Sequence, residues 1–422
     1  MENPVIKCLN PLKPRRFFKK IMKILHLADL HIGKRVNEIS MLTEQRHILQ
    51  QILTIVQREQ PQAALLAGDI YDKTMPAAEA VQLCDWFLTR LSALVPAVLI
   101  IPGNHDSAER LAFAAGLLQE QGVYIAQPFA GQVQRVELAD EFGPVDFYLL
   151  PFLKPAIVRR AFTQPETEAP PDLADYNEAV GLVMQQVNAQ LRPRPVRNIL
   201  LAHQLITGAV VCDSDELAIG GLDNVDVSWF ADFDYVALGH LHSAQQVRPK
   251  QPAMRYCGSP LKYSFSEARQ KKSLTLLEID GDGQVQLQTT PLNPLHDLRE
   301  IKGAFANLTA PDFLAAQDCA DYLHITLTDE HDIPDAVLRL RQYYPNLMKL
   351  DYDNQRTRSN QRLALSAAAA ESLVELGAFK LFSDFYEQQN NQRLDAEQEK
   401  FLQQLIEEIW DNKQEEPCAH YI

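Results

Sequence analysis

Five short clusters of polar side chains each follow an apolar stretch, and this pattern limits the folds open to the chain. The clusters are Asp29-Leu30-His31, Gly68-Asp69-Ile70-Tyr71-Asp72, Gly103-Asn104-His105-Asp106, His203 and Gly239-His240-Leu241-His242. The apolar stretches before them, at 24–28, 63–67, 97–101, 198–202 and 235–238, are typical of buried parallel strands. Because the carboxyl ends of such strands share one crevice in an α/β sheet, the clusters are predicted to converge there.

Helical patterns separate the first three predicted strands. Apolar residues recur at helical spacing from Ile39 to Val56 and from about Ala78 to Leu94. Strand, helix, strand, helix, strand is an order that predicts right-handed crossovers and a parallel sheet covered on both faces. Later strands are expected without clear helices between them, which favours a second sheet packed on the first. They lie at Phe147 to Phe152, Met254 to Cys257 and Ser273 to Ile279.

The pattern changes around Pro291-Leu292-Asn293-Pro294, where we place a domain boundary. Four regions are predicted: a basic extension at 1–21, a main domain at 22–290, a small α+β module at 291–355, and C-terminal helices at 356–422. The last region carries two apolar stripes, at 379–386 and 401–410, which suit either a partner or an internal core. Asp395 and Gln398 resemble a capping box that opens the second helix.

Composition narrows the class of protein. A net charge of −15 argues against generic affinity for nucleic acid, although a basic stretch from Arg248 to Lys272 suits either a solvated loop or a phosphate-contacting rim. Six dispersed cysteines without a CxxC pair favour a reducing compartment, so a cytoplasmic location is predicted. The basic N-terminus lacks the apolar segment of an export signal, and no stretch is long enough to span a membrane.

The polar clusters combine carboxylates, imidazoles and one amide, which suits a pair of divalent cations. Two such ions roughly 3.5 to 4 Å apart can hold a phosphodiester and stabilise both oxygens of an in-line displacement. A shared carboxylate is needed, and Asp69 is predicted to bridge with one oxygen facing each cation. We assign Asp29 and His31 to one ion and Asn104 and His203 to the other, with His240 and His242 divided between them. The donor mixture suits manganese, iron or zinc better than calcium, and manganese is the ion we select. The absence of cysteine ligands argues against a closed structural zinc site.

His105 is predicted to act on the substrate and not on a metal. Its neighbour Asn104 coordinates, so the imidazole would stand over the scissile phosphate, to stabilise it or to protonate the leaving oxygen. Asp72, three residues after the bridging Asp69, is predicted to orient the His105 ring.

The ordered clusters resemble the motif series of the calcineurin-like metallophosphoesterases, in the branch of nuclease subunits that work with a coiled-coil ATPase. The resemblance is carried by MKILHLADLHIGK, LLAGDIYDK, VLIIPGNHDS, LLAHQLITG, YVALGHLH and YCGSPLKYSFSE, and it is strongest over residues 22 to 290. It implies an α/β fold: a two-sheet metallophosphoesterase sandwich flanked by helices, then a small α+β cap domain that contacts DNA and C-terminal helices that grip the ATPase.

The same resemblance implies an activity and partners. It implies a manganese-dependent nuclease in DNA repair, recombination and replication, acting as a double-strand exonuclease and a single-strand and hairpin endonuclease. It also implies a homodimer that carries two copies of the ATPase in a heterotetramer.

Two other functions fit part of the pattern. A small-molecule phosphodiesterase or protein phosphatase could use the same ion pair, but the module after residue 291 favours a macromolecular substrate. A scaffold that only anchors the ATPase would not require the His105 ring beside Asn104.

Overall fold

The computed structural model describes residues 21–163, 173–212, 215, 223–248, 252–358, 379, 382–383, 386 and 394–411. Residues 1–20 of the predicted N-terminal extension, and residues 380, 381, 384 and 385 of the 379–386 stripe, therefore lie outside the described residues. The chain divides into two compact units between Leu298 and Arg299, whereas the sequence placed the boundary between residues 290 and 291.

Among its described residues, the first unit contains two six-stranded sheets and two short two-stranded ones. Its strands are β1 Met22–Leu27, β2 Arg35–Val36, β3 Ile39–Ser40, β4 Ala63–Ala67, β5 Ala97–Ile101, β6 Val123–Ile125, β7 Gln134–Asp140, β8 Gly143–Leu149, β9 Arg197–His203, β10 Leu205–Ile206, β11 Asn224–Val225, β12 Tyr235–Gly239, β13 Gln245–Arg248, β14 Ala253–Tyr256, β15 Ser273–Ile279 and β16 Val285–Pro291. Its helices are α1 Leu42–Glu59, α2 Ala78–Leu94, α3 Ala108–Leu111, α4 Ala115–Glu120, α5 Pro155–Phe162 and α6 Tyr176–Ala189.

Both large sheets have a parallel centre, with antiparallel strands at one edge of the first sheet and at both edges of the second. The first has the order β16-β15-β1-β4-β5-β6, in which β1, β4, β5 and β6 run parallel. The second has the order β13-β14-β12-β9-β8-β7, in which β14, β12, β9 and β8 run parallel. The carboxyl ends of adjacent parallel strands therefore lie together in each sheet.

The sheets pack face to face over a core of fully buried apolar side chains. One apolar cluster contains residues from both sheets: Ile24, Leu65 and Leu99 from the first, and Phe147 and Leu201 from the second. Burial of each such side chain contributes roughly 1.5–3 kcal/mol, so this core holds the strand ends firmly in place. Helices cover the outer faces, as α6 does by packing Val183 and neighbouring residues on the second sheet.

The predicted fold class is confirmed, and most elements lie where the sequence placed them. The hairpin at Gly281-Asp282-Gly283 joins β15 and β16, which pair in antiparallel register. The first helix starts later than predicted, at Leu42, because β2 and β3 form a short hairpin before it. The expectation of no clear helices between the later strands is wrong, since α5 and α6 connect β8 to β9. The α5 helix has only eight residues, too few for a distinctive period.

The second unit begins within β17 Leu298–Gly303, at Arg299. It continues with α7 Phe305–Leu308, α8 Pro311–Ala315, β18 Tyr322–Leu327, α9 Ala336–Arg341, β19 Leu347–Tyr352 and α10 Ala396–Asp411. The order β17-β18-β19 gives a three-stranded sheet, whose core includes Leu323, Ile325 and Tyr344. This is the predicted α+β architecture.

The capping box before α10 is confirmed. The Gln398 amide donates to Asp395 Oδ1 at 2.8 Å, and the Asp395 amide donates to Gln398 Oε1 at 3.0 Å. Among the described residues, no helix combines the length and the apolar character needed to cross a membrane.

Candidate metal centre

The side chains predicted as metal ligands converge at the carboxyl ends of both large sheets. They are Asp29 and His31 after β1, Asp69 after β4, Asn104 after β5, His203 at the end of β9, and His240 and His242 after β12. Since Gly239 pairs with His203 across β12 and β9, the second sheet presents its imidazoles side by side.

Four of these residues have left-handed backbone conformations, which residues other than glycine seldom adopt. Their φ angles are 52° at Asp29, 43° at His31, 51° at Asp69 and 105° at His240. Neighbouring main chains hold the first two in place, because Asp29 donates its amide to Gly68 O at 3.0 Å and His31 donates to Asp69 O at 2.9 Å. Such strain persists only where the surrounding structure enforces it, and here it turns the side chains toward one point.

One group of ligands gathers around His31 and His242. Their Nε2 atoms lie 3.1 Å apart, and His31 Nε2 is 3.7 Å from Asp69 Oδ2. Asp29 lies close to Asp69 and His203: its Oδ1 is 3.9 Å from His203 Nδ1 and accepts the His240 amide at 2.9 Å, and its Oδ2 is buried without a hydrogen-bond partner.

The second group gathers around Asn104. Its Oδ1 lies 3.1 Å from His203 Nε2 and 3.1 Å from His240 Nδ1. His203 Nε2 is also 3.3 Å from Asp69 Oδ2, so the Asp69 carboxylate belongs to both groups. His240 thus joins Asn104 and His203, whereas His242 joins His31.

The arrangement of Asp69 differs from the expectation that each of its oxygens faces one cation. Oδ1 accepts the main-chain amide of His105 at 2.9 Å, which leaves Oδ2 as the oxygen that faces both groups. The structure therefore places a single shared oxygen between the two groups.

The electrostatics of the site suit cations. Burial raises the pKa of Asp29 to about 7 and lowers the pKa of His240 to about 3. Burial opposes ionisation of Asp69 as well, but the adjacent His203 and His31 hold the pKa of its carboxyl below the usual range. A divalent cation would satisfy the buried Asp29 Oδ2, which has no hydrogen-bond donor, and the Nε2 atoms of His31 and His242, which face each other. The residues present therefore fit a pair of metal ions.

His105 lies at the opening of this site, where its side chain is 14% exposed against 1% for His31. Its Nδ1 contacts Asp72 O at 2.9 Å, and its Nε2 is 3.9 Å from Asp69 Oδ2. Asp72, which was predicted to orient this ring, contacts it through the main-chain carbonyl. The Asp72 carboxylate instead accepts from Lys34 Nζ at 2.7 Å.

Asp106 links the loops of the two neighbouring strands β4 and β5, although no role for it was predicted from the sequence. Its Oδ2 accepts the amides of Ile70 and Gly103, both at 3.0 Å, and its Oδ1 accepts the amide of Tyr71 at 2.9 Å. This carboxylate thereby sets the distance between Asp69 and Asn104. Its place in the Gly-Asn-His-Asp cluster was the available signal.

The basic stretch from Arg248 to Lys272 is not one surface. Lys272 is buried, and Lys262 Nζ donates to Ala268 O at 2.7 Å, whereas Arg269 and Lys271 are exposed. Neither a solvated loop nor a phosphate-contacting rim describes the whole stretch. Lys250 lies outside the described residues.

Comparison with known sequences gives two family matches. The calcineurin-like phosphoesterase family matches residues 22–244, and the family described as "Type 5 capsule protein repressor C-terminal domain" matches residues 294–390.

Comparison with individual proteins agrees with these two family matches. The chain is 30% identical to the SbcD subunit of the nuclease SbcCD from Staphylococcus epidermidis, over 93% of this chain and 100% of that protein. It is 29% identical to the protein of the same name from Staphylococcus saprophyticus, over 91% and 98% of the two chains. Among solved structures, a dimetal phosphatase from Danio rerio matches with 12% identity and a TM-score of 0.39, over 65% of this chain and 98% of that one.

The first family match covers more than half of the chain, and the S. epidermidis relative is matched over its whole length. The chain belongs to the SbcD family of calcineurin-like metallophosphoesterases.

Proposed function

We propose that this protein is a DNA nuclease that depends on two metal ions and works as the nuclease component of an SbcCD-type complex. The observation that carries the proposal is the position of Asp69 Oδ2, which lies 3.7 Å from His31 Nε2 in one ligand group and 3.3 Å from His203 Nε2 in the other. A shared oxygen between two sets of nitrogen and oxygen donors is what a dinuclear phosphodiesterase needs.

Seven side chains would hold the ions, with Asp69 common to both sets. One ion would be held by Asp29, His31, Asp69 and His242, and the other by Asp69, Asn104, His203 and His240. When bound, the ions supply positive charge to the scissile phosphate and to both oxygens of the displacement. Manganese suits the mixture of imidazole, carboxylate and amide donors.

His105 would protonate the leaving oxygen. Because Asp72 O accepts a hydrogen bond at 2.9 Å, His105 Nδ1 carries a hydrogen and donates it. This contact fixes the ring, so that Nε2 faces the centre beside Asp69. An imidazolium held in this way carries its transferable proton on the nitrogen that points to the substrate.

DNA is the proposed substrate, with exonuclease activity on duplex ends and endonuclease activity on single strands and hairpins. This part rests on the named relatives and on Lys34, whose side chain lines the opening with His31 and His105. A lysine at the opening suits a phosphate of the strand being cut. DNA repair, recombination and replication in the cytoplasm are the processes such an activity would serve.

The proposed assembly is a homodimer that carries two copies of an SbcC-like ATPase. Phe401 and Leu405 on α10 are 66% and 40% exposed and suit the coiled coil of that partner. Phe113 and Leu117 in the first unit are 82% and 75% exposed and suit contact with a second copy. Residues 22–290 would form the nuclease domain, 291–355 the DNA-contacting module, and 356–422 the partner-binding segment.

The activity can be tested with the purified full chain in Mn²⁺ on blunt duplex DNA, hairpin DNA and bis(p-nitrophenyl) phosphate. We expect cleavage of all three and none after Asp69→Asn. The phosphomonoester p-nitrophenyl phosphate is tested in parallel, and its hydrolysis with both DNAs intact would instead identify a phosphatase. Intact substrates in every case would identify a scaffold.

A further inference from the structure

Hydrogen bonds fix the side chain and both main-chain polar groups of His242. Its ring Nδ1 lies 3.0 Å from Glu267 Oε1, and its amide donates to Asp215 Oδ1 at 2.9 Å. Its carbonyl accepts from Lys272 Nζ at 2.9 Å. These contacts leave Nε2 facing His31.

Glu267 and Lys272 form a buried ion pair directly behind this ring. Their side chains are 0% and 7% exposed, and Lys272 Nζ lies 2.6 Å from Glu267 Oε2. Lys272 also donates to Ser259 Oγ at 2.9 Å, so the ammonium is well satisfied. A buried ion pair is seldom more stable than apolar side chains of similar size, so stability alone gives little reason for its presence. The reason is better sought in what Glu267 contacts.

Among the described residues, the rear nitrogens of the other predicted imidazole ligands make no hydrogen bond to a carboxylate. His203 Nδ1 contacts a main-chain carbonyl, Ala67 O, at 2.8 Å, and is 3.9 Å from Asp29 Oδ1. His31 Nδ1 has no hydrogen-bond partner and is 3.7 Å from Asp72 Oδ1, beyond hydrogen-bond distance. His240 turns Nδ1 itself toward Asn104. A carboxylate bound to the rear nitrogen fixes the tautomer and makes the front nitrogen a stronger donor than a carbonyl does. The two ligand groups are therefore unequal.

We propose that Glu267, kept as a carboxylate by Lys272, is a positioning residue for His242 and makes the group of Asp29, His31 and His242 the tighter of the two cation sites. The inference rests on the dinuclear centre proposed above. Glu267 lies beyond residues 22–244, which match the phosphoesterase family.

The experiment is a titration of the metal-free full chain with Mn²⁺. Calorimetry measures the binding events, and electron paramagnetic resonance detects the bound ions. We expect Glu267→Gln to weaken the tighter of two binding events by about 10- to 100-fold. The signal of the coupled ion pair should then appear only at correspondingly higher Mn²⁺. The weaker event should keep its affinity.

Two further variants separate positioning from folding. Glu267→Gln with Lys272→Met removes both charges and leaves no buried charge unpaired, and we expect the weakened binding to persist. Glu44→Gln alters another buried glutamate that pairs with a histidine, His296, at 2.7 Å, and should bind both ions normally.

Each remaining result overturns one of the two proposals. Unchanged affinities in Glu267→Gln, or normal binding in the double variant, would show that the ion pair is only structural. Failure of the unaltered protein to bind two ions would overturn the dinuclear centre itself.

Discussion

Asp69 from the first sheet and His203 from the second face each other, with Oδ2 and Nε2 3.3 Å apart. The two residues are brought together by the face-to-face packing of the sheets, so the ligand set depends on how the sheets are aligned. A change of a few tenths of an ångström at this contact would disturb both ligand groups, because both share the Asp69 carboxylate.

Gly103→Ala should destroy the centre without changing any ligand. A Cβ at Gly103 would lie 2.1 Å from Asp69 Oδ1, so the shared carboxylate must move. We expect loss of Mn²⁺ binding and destabilisation of about 1–3 kcal/mol, measured by metal analysis and chemical unfolding. Gly116→Ala is the matched control, since nothing lies within 4 Å of its Cβ, and it should keep both ions. Two ions in Gly103→Ala would contradict this view of the site.

His105→Leu should separate metal binding from catalysis. We propose that the ring donates a proton and does not hold the ions, although it lies within reach of His31 and Asp69. The Mn²⁺ stoichiometry should therefore stay the same while the rate of DNA cleavage falls by about 10²- to 10⁴-fold. Single-turnover kinetics and metal analysis on one preparation check both points. His47→Leu, outside the site, should cleave normally. Cleavage at the normal rate by His105→Leu would rule out the proposed role.

His26 should make the metal-free protein less stable in acid. Burial between the sheets lowers the pKa of His26 to about 3, and its Nδ1 contacts Tyr235 Oη at 2.9 Å. In the unfolded chain His26 takes up a proton near its ordinary pKa of 6.5. The contribution of neutral His26 to the free energy of unfolding is therefore complete above pH 6.5 and is lost as the pH falls toward 3. Its share of the slope is about 1.4 kcal/mol per pH unit.

Urea unfolding from pH 7 to pH 4 in the absence of metal would measure this slope. His26→Leu lacks the proton uptake, and its stability should depend less steeply on pH than that of the unaltered protein. Equal slopes in the two proteins would show that His26 is not neutral in the folded state.

Phe401→Ser with Leu405→Ser should weaken binding of the ATPase and spare catalysis. Both side chains are exposed on α10, so their loss removes apolar contact with a partner and little from the fold. Size-exclusion chromatography with the purified ATPase measures the association, and bis(p-nitrophenyl) phosphate measures activity. Leu338→Ser, which is 65% exposed on α9, is the control. Unchanged association of the double variant would place the partner elsewhere.

The elements near the site were predictable because their signals are local. The boundaries predicted for the strand at Ala63–Ala67 and the helix at Ala78–Leu94 are those observed, since a continuous apolar run and a helical period are each visible in a few residues. The role of Asp106 was not predicted, because its three amide donors lie on two loops that meet only in the folded chain.

By itself, the sequence determined the types of ligand and their places at strand ends, because side-chain chemistry and hydrophobic period are properties of short segments. Only the tertiary structure decided that His242 joins His31 from 211 residues away, and that the Asp69 oxygen facing both groups is Oδ2. It also placed Glu267 behind His242. These are contacts between distant segments, and they depend on the packing of two sheets, which no local pattern encodes.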